Sequence, residues 1–164
     1  MSGIATIDEV SPSGLCVACG IPVDSQYFDY SSVDDPPGVG SEKVLARFEL
    51  PAQYCGVLQY FSQFTDQHGN NSANVLTPGL EWRILLNRHA LFPYISLGHI
   101  ANPWGYGSFP VNIRLDENST IELVVRGVPT SEDIPSAERI NLVGGRLVGR
   151  FWYNAAYGDV VSRL

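Results

Sequence analysis

Residues 44–64, VLARFELPAQYCGVLQYFSQF, decide the fold class of this chain. They hold two apolar, β-prone runs joined at Leu50-Pro51-Ala52. In the first run, Val44, Ala46, Phe48 and Leu50 fall on one side, and Lys43, Arg47 and Glu49 on the other. A period of two marks a strand with one face buried. The second run, residues 54–64, is apolar on both sides, which predicts a strand covered twice, by a second sheet or by a neighbouring subunit.

The same period recurs downstream. Trp82, Ile84 and Leu86 alternate with Glu81, Arg83 and Asn87, predicting a strand. Residues 91–100 read as a shorter strand interrupted by Pro93, which suits an edge or a bulge. Val111, Ile113 and Leu115, then the turn residues Asp116-Glu117-Asn118-Ser119, then Ile121, Leu123 and Val125 read as a hairpin. Gly144-Gly145 reads as a further turn. Beyond it, Leu147, Phe151 and Tyr153 share one face of a last strand, with Arg146, Arg150 and Trp152 on the other. Seven or eight strands with turn residues between them and no long helix predict an all-β sandwich or barrel. The long connections favour Greek-key or jelly-roll wiring over a meander.

Composition agrees. The chain has 164 residues, enough for one domain with a real core, and is 45% hydrophobic but only 16% charged. The formal net charge of −7 excludes a basic nucleic-acid footprint. No apolar run approaches the roughly 20 residues of a membrane-spanning helix. The opening MSGIATIDEV lacks the features of a signal peptide, and three cysteines are no disulfide framework. Cytosolic synthesis with reduced thiols is the expectation.

The domain division expected is an N-terminal arm, residues 1–42, and a sandwich, residues 43–164. The arm region has Ser-Pro-Ser-Gly at 11–14, Asp-Pro-Pro-Gly-Val-Gly at 35–40 and no sustained period. It reads either as an irregular segment or as an arm that lies along a partner or a neighbouring subunit. Its apolar content (Ile4, Ile7, Leu15, Val17, Ile21, Val23, Tyr27, Phe28 and Tyr30) favours the second. Removing residues 1–41 is then expected to leave a folded sandwich.

Chemistry is poorly supported. Cys16 and Cys19 have the spacing of half a zinc knuckle, but Cys55, His68, His89 and His99 supply no second half, so no metal or other cofactor is expected. No Gly-x-Ser-x-Gly turn places a nucleophile, and Glu49, Glu81 and Glu122 fall on wet faces, so no catalytic residue is expected. Trp104 and Tyr106 sit in the Gly-rich loop ANPWGYGS; such rings anchor a protein partner, plug the end of a sandwich or stack on a sugar. The two-sided apolar run points to self-association, with Tyr54, Leu58, Tyr60 and Phe64 as the expected interface.

FELPAQYCGVLQYFSQF, with LEWRILLNRHALF, VNIRLDENSTIELVVRGV and GRLVGRFWYN after it, resembles the strands of jelly-roll virion proteins of tailed bacteriophages. The likeness covers residues 44–154 and rests on a strand pattern, not a catalytic signature. It implies a jelly-roll β-sandwich with an extended N-terminal arm and a non-enzymatic capsid decoration (cement) protein. It further implies a homotrimer that binds the major capsid protein on the outside of the virion and touches neither nucleic acid nor membrane. A neck, tail or baseplate adaptor of the same fold and a carbohydrate-binding module are the alternatives.

Overall fold

The computed structural model describes residues 21–22, 25–66, 79–92, 109–129 and 140–153. These form eight strands: β1 (Gln26–Asp34), β2 (Glu42–Glu49), β3 (Tyr54–Thr65), β4 (Leu80–Leu86), β5 (His89–Ala90), β6 (Phe109–Leu115), β7 (Thr120–Gly127) and β8 (Val143–Tyr153). Among the described residues there is no helix. The strands make two antiparallel four-stranded sheets, one in the order β1-β8-β3-β6 and the other β2-β7-β4-β5. The all-β expectation holds, and the arrangement is that of a β-sandwich.

The core lies between the sheets and is built by the alternation read from the sequence. Trp82 and Ile84 of β4 lie opposite Val125 and Leu123 of β7, and all four are buried. Leu58 and Phe61 of β3, Leu115 of β6 and Leu147 of β8 face them from the other sheet. Asn87 and Arg88 close the β4–β5 hairpin with φ of 51° and 67°, the left-handed pair that a two-residue turn between twisted strands requires. The Asn87 side chain also accepts the Thr120 N–H at 2.8 Å, tying that turn to the start of β7.

Four expectations are corrected. First, Gln26–Asp34 of the expected arm is β1, an edge strand paired with β8 along its whole length. Its Phe28 is buried and stacks on Phe48 of the opposite sheet, centroids 4.0 Å apart. Five polar side chains, Gln26, Asp29, Ser31, Ser32 and Asp34, hide the strand signal, because an edge strand needs few apolar residues. Second, β6 and β7 are no hairpin. β6 pairs with β3 and β7 with β2 and β4, so residues 116–119 carry the chain from one sheet to the other. Both strands turn their apolar sides to one core, and an inter-sheet arch does that as readily as a hairpin.

Third, Gly144 and Gly145 make no turn but lie inside β8, the strand between β1 and β3. A Cβ on Gly145 would come within 2.7 Å of Leu123 Cδ2 and 2.9 Å of Leu45 Cβ. The glycine is there because the opposite sheet comes that close. Fourth, Val44 points outward. The register of β2 shifts between Val44 and Ala46, so Leu45 joins Ala46 and Phe48 in the core while Val44 is exposed. Cys16, Cys19, Trp104, Tyr106 and most of the strand expected at 91–100 lie outside the described residues.

Candidate functional site

The expected interface residues Tyr54, Leu58, Tyr60 and Phe64 share one parity, so an unbroken strand would set all four on one face. β3 is broken. Its register against both β6 and β8 shifts between Leu58 and Tyr60. Before the shift, Tyr54 and Leu58 point into the sandwich. Leu58 is fully buried, and Tyr54 packs against Phe151 and Tyr153 at 5.8 and 5.7 Å. Leu58 is therefore core and no part of a surface. After the shift, Phe61 takes over the inward side, and Tyr60 and Phe64 point out, 43% and 44% exposed.

Outward-facing residues of β1, β8 and β3 fall in cross-strand rows: Tyr27–Arg150–Val57, Asp29–Val148–Tyr60, Ser31–Arg146–Ser62 and Val33–Gly144–Phe64. Tyr27 and Val33 are 68% and 61% exposed, so they join Tyr60 and Phe64 as open apolar side chains on one sheet face. At Gly144 a Cβ would lie 3.2 Å from Val33 Cγ2 and 3.3 Å from Phe64 Cδ1. Its absence leaves a shallow groove over β8 between those two side chains, with Ser31, Ser62 and Arg146 along its floor and rim.

The arginines of this face find partners within it. Arg146 donates two hydrogen bonds to Asp29, at 2.8 and 2.5 Å. They hold the Asp29 carboxyl below the usual carboxylate range. Arg150 lies over the Tyr27 ring, 4.2 Å from its centroid, a cation–π contact. At the other end of the face Ile21 is buried against Val57 and Trp152, with Cys55 beside them. Chain preceding β1 thus already covers one end of the face.

The outer face of the second sheet is different in kind. Glu81 pairs with Arg83 at 2.9 Å, and Arg47 pairs with both Glu49 and Glu122. Glu42 stands opposite Arg126 in the β2–β7 register. A lattice of alternating charges suits water, and each exposed pair adds little stability. Val44 stands exposed on this face, and Val124 and Leu85 share its side of the ladder, so apolar side chains are mixed with its charges, whereas the first face groups four open apolar ones, Tyr27, Val33, Tyr60 and Phe64.

Among the described residues no three His, Cys, Asp or Glu side chains cluster to hold a metal. Cys55 is half-buried, and burial, with the Asp116 charge second, pushes its thiol up to about 11. At pH 8 it is almost entirely protonated and a poor nucleophile. In a chain carrying Cys16→Ser and Cys19→Ser, Cys55 should react with iodoacetamide at least tenfold more slowly than a free thiol, which mass spectrometry reads over time. Denaturant should abolish the difference. Equal rates in the folded chain would contradict the placement of Cys55 under Ile21.

Of the residues expected at an interface, Tyr60 and Phe64 lie on the open face; Tyr27, expected only as part of an arm, lies there too, and Val33 and Gly144 join them without being expected. Tyr27 and Val33 fall within the expected arm, and Gly144 within an expected turn. The signal that finds them is the strand β1 itself, since Tyr27, Asp29, Ser31 and Val33 alternate in phase with β8. Neither the family models nor the curated proteins compared with this chain give a match.

Proposed function

We propose that this is a structural assembly protein, a jelly-roll virion component that forms a homotrimer and decorates the outside of a tailed-phage head. The observation that carries the reading is the contrast between the two outer faces. A sandwich that worked alone would keep its open apolar side chains scattered, as the β2-β7-β4-β5 sheet does, where Val44 stands exposed among charge pairs. The β1-β8-β3-β6 sheet instead presents Tyr27, Val33, Tyr60 and Phe64 together around a groove.

The wiring supports the jelly roll. Successive strands alternate between sheets, and only β4 and β5 stay in one sheet. Strand eight lies between strands one and three, and strand seven between strands two and four. Two interleaved Greek keys have this order.

Size sets the expected strength. Three strands wide and six residues long, the patch measures about 14 by 20 Å, roughly 300 Å². A standard interface buries about 800 Å² per partner. Association through this face alone is therefore concentration-dependent, and on a capsid lattice many copies add their effect. The major capsid protein is the partner, bound by surfaces that the trimer leaves free.

Light scattering on the purified chain tests the oligomer. At tens of micromolar it should report about three times the chain mass of 18.0 kDa, falling toward the chain mass on dilution. A chain that stays at 18.0 kDa up to a millimolar rules the trimer out. Sedimentation with heads of the phage that encodes the protein tests the decoration role: saturable binding supports it, and none refutes it.

A further inference from the structure

A sheet that ends in open backbone invites another strand, and proteins guard such edges with charge, proline, bulges or brevity. Among the described residues the two sheets have four edges, and three of them are guarded. β2 carries Glu42, Lys43, Arg47 and Glu49 and a register shift between Val44 and Ala46. β5 is two residues long. β6 contains Pro110, which has no N–H to offer, and its register with β3 also shifts.

β1 has none of these guards. It runs nine residues in unbroken register with β8, without proline, lysine or arginine. Its two carboxylates are already held, Asp29 by Arg146 and Asp34 by Lys43 at 3.1 Å. Eight of its nine residues are exposed, including Tyr30 on the inward side. The second sheet does not shield it. The Leu45 carbonyl of β2 accepts from the Ser32 hydroxyl of β1, and Leu45 also lies beneath Gly145 of β8. Phe48 stacks on Phe28 of β1 and meets Phe151 of β8 at 5.4 Å. β2 therefore sits under the seam of β1 and β8, and β1 overhangs it. Among the described residues no strand pairs with the outer side of β1.

We propose that β1 pairs with β1 of a second copy, antiparallel and centred on Tyr30, joining two four-stranded sheets into one. The strand fits itself in that register. About a two-fold axis at Tyr30 all nine residues find an opposite: Tyr30 faces Tyr30, Asp29 faces Ser31, Phe28 faces Ser32, Tyr27 faces Val33 and Gln26 faces Asp34. Aromatic against β-branched is a favourable cross-strand pair, and no carboxylate stands opposite another. A shift of two residues one way sets Asp29 against Asp29, and the other way leaves Gln26 and Tyr27 unpaired. A shift of one sets outward side chains against inward ones. The contact is weak between free molecules, since two strand edges add a ladder and little apolar burial. It fills where copies already lie side by side on a shell, a use that rests on the assembly reading above although the pairing itself does not.

Disulfide trapping reads so weak a contact. Opposite residues of an antiparallel pair have Cα atoms about 4.5–5.5 Å apart, within reach of a disulfide. In the full-length chain carrying Cys16→Ser and Cys19→Ser, Tyr30→Cys meets its own copy, whereas Ser32→Cys stands about 13 Å from its copy. Both variants are first shown to be folded by circular dichroism. In a glutathione buffer at high protein concentration, Tyr30→Cys should form linked dimer at least tenfold faster than Ser32→Cys on non-reducing gels. Equal rates, or no link at Tyr30→Cys, overturn the pairing. A chain with both Tyr27→Cys and Val33→Cys checks the register again, since the two lie about 20 Å apart in one molecule and opposite each other in the pair. Failure of that chain to link overturns the register. Adding Phe64→Glu separates this contact from the outer-face one. The Tyr30→Cys link should form as fast with Phe64→Glu as without it, and its loss there overturns an independent edge contact. The outer-face reading is decided by the mass of Phe64→Glu, whatever the link does.

Discussion

Gly149→Val should not fold, and Gly149→Ala should lose about 3 kcal/mol or more of stability. Gly149 lies in β8 between β1 and β3, in register with Phe28 on one side and Leu58 on the other. A Cβ there would stand 2.2 Å from the Val57 carbonyl oxygen and 2.4 Å from Phe28 Cζ. The first neighbour is backbone of an adjacent strand, which moves only by breaking the ladder. The second is a ring clamped against Phe48 at 4.0 Å. Neither yields cheaply, and domains of this size have only about 5–15 kcal/mol in total. Gly144, five residues earlier, is the internal control. A Cβ there meets Val33, Phe64 and the Ser32 carbonyl oxygen at 3.2–3.3 Å, and both side chains are exposed and free to shift. Gly144→Ala should cost under about 1 kcal/mol, within the usual range for a surface change. Urea unfolding followed by Trp fluorescence measures both. Equal costs at the two positions would falsify the close approach at Gly149.

Removing residues 1–41 should unfold the protein. The sequence alone led to the opposite expectation, because those residues read as an arm. β1 is the edge of the sheet, bonded to β8 from Gln26 to Asp34. Its loss takes Phe28 out of the core and bares Phe48, which Phe28 covers on one side and Tyr30 flanks at 5.7 Å. Emptying one Phe site costs about 3–5 kcal/mol. The cut also exposes the backbone of β8 as a new edge, with its glycines and little charge to discourage aggregation. The Asp29–Arg146 pair goes as well, and Ser32 no longer donates to the Leu45 carbonyl across the sandwich. A chain beginning at Ile21 keeps all of these and should retain the β circular-dichroism signal and a cooperative melt. A cooperative melt in the shorter chain would mean that β1 is not part of the fold.

How far the sequence is legible depends on what each strand touches. β4, β7 and the second half of β8 could be read because each sets one face on a deep core and the other toward charge or the outer surface. β1 could not, since an edge strand with a single large buried residue, Phe28, has the composition of a loop. Where two strands are paired is decided by the opposite sheet, so Asp116-Glu117-Asn118-Ser119 looks the same in a hairpin and in an arch. The register shifts in β2 and β3 move side chains from one face to the other without any mark in the pattern of apolar residues. This is why one parity takes in the outward Tyr60 and Phe64 and also Leu58, which lies in the core. The two-sided apolar character of β3 was legible, and it has two physical causes. The inner side is core, and the outer side is divided between Ile21's cover over Val57 and the open patch at Tyr60 and Phe64.

The central claim is that copies of this chain meet through the outer face of the β1-β8-β3-β6 sheet. Phe64→Glu places a charge at one end of that patch, and Arg83→Glu changes the opposite outer face at a half-buried position. Light scattering at a fixed concentration in the tens of micromolar, with matched circular dichroism to show that both variants are folded, compares them with the parent. The account predicts about three chain masses for the parent and for Arg83→Glu, and a single 18.0 kDa chain for Phe64→Glu. A folded Phe64→Glu that keeps the parent's mass, or an Arg83→Glu that alone loses it, would contradict the account.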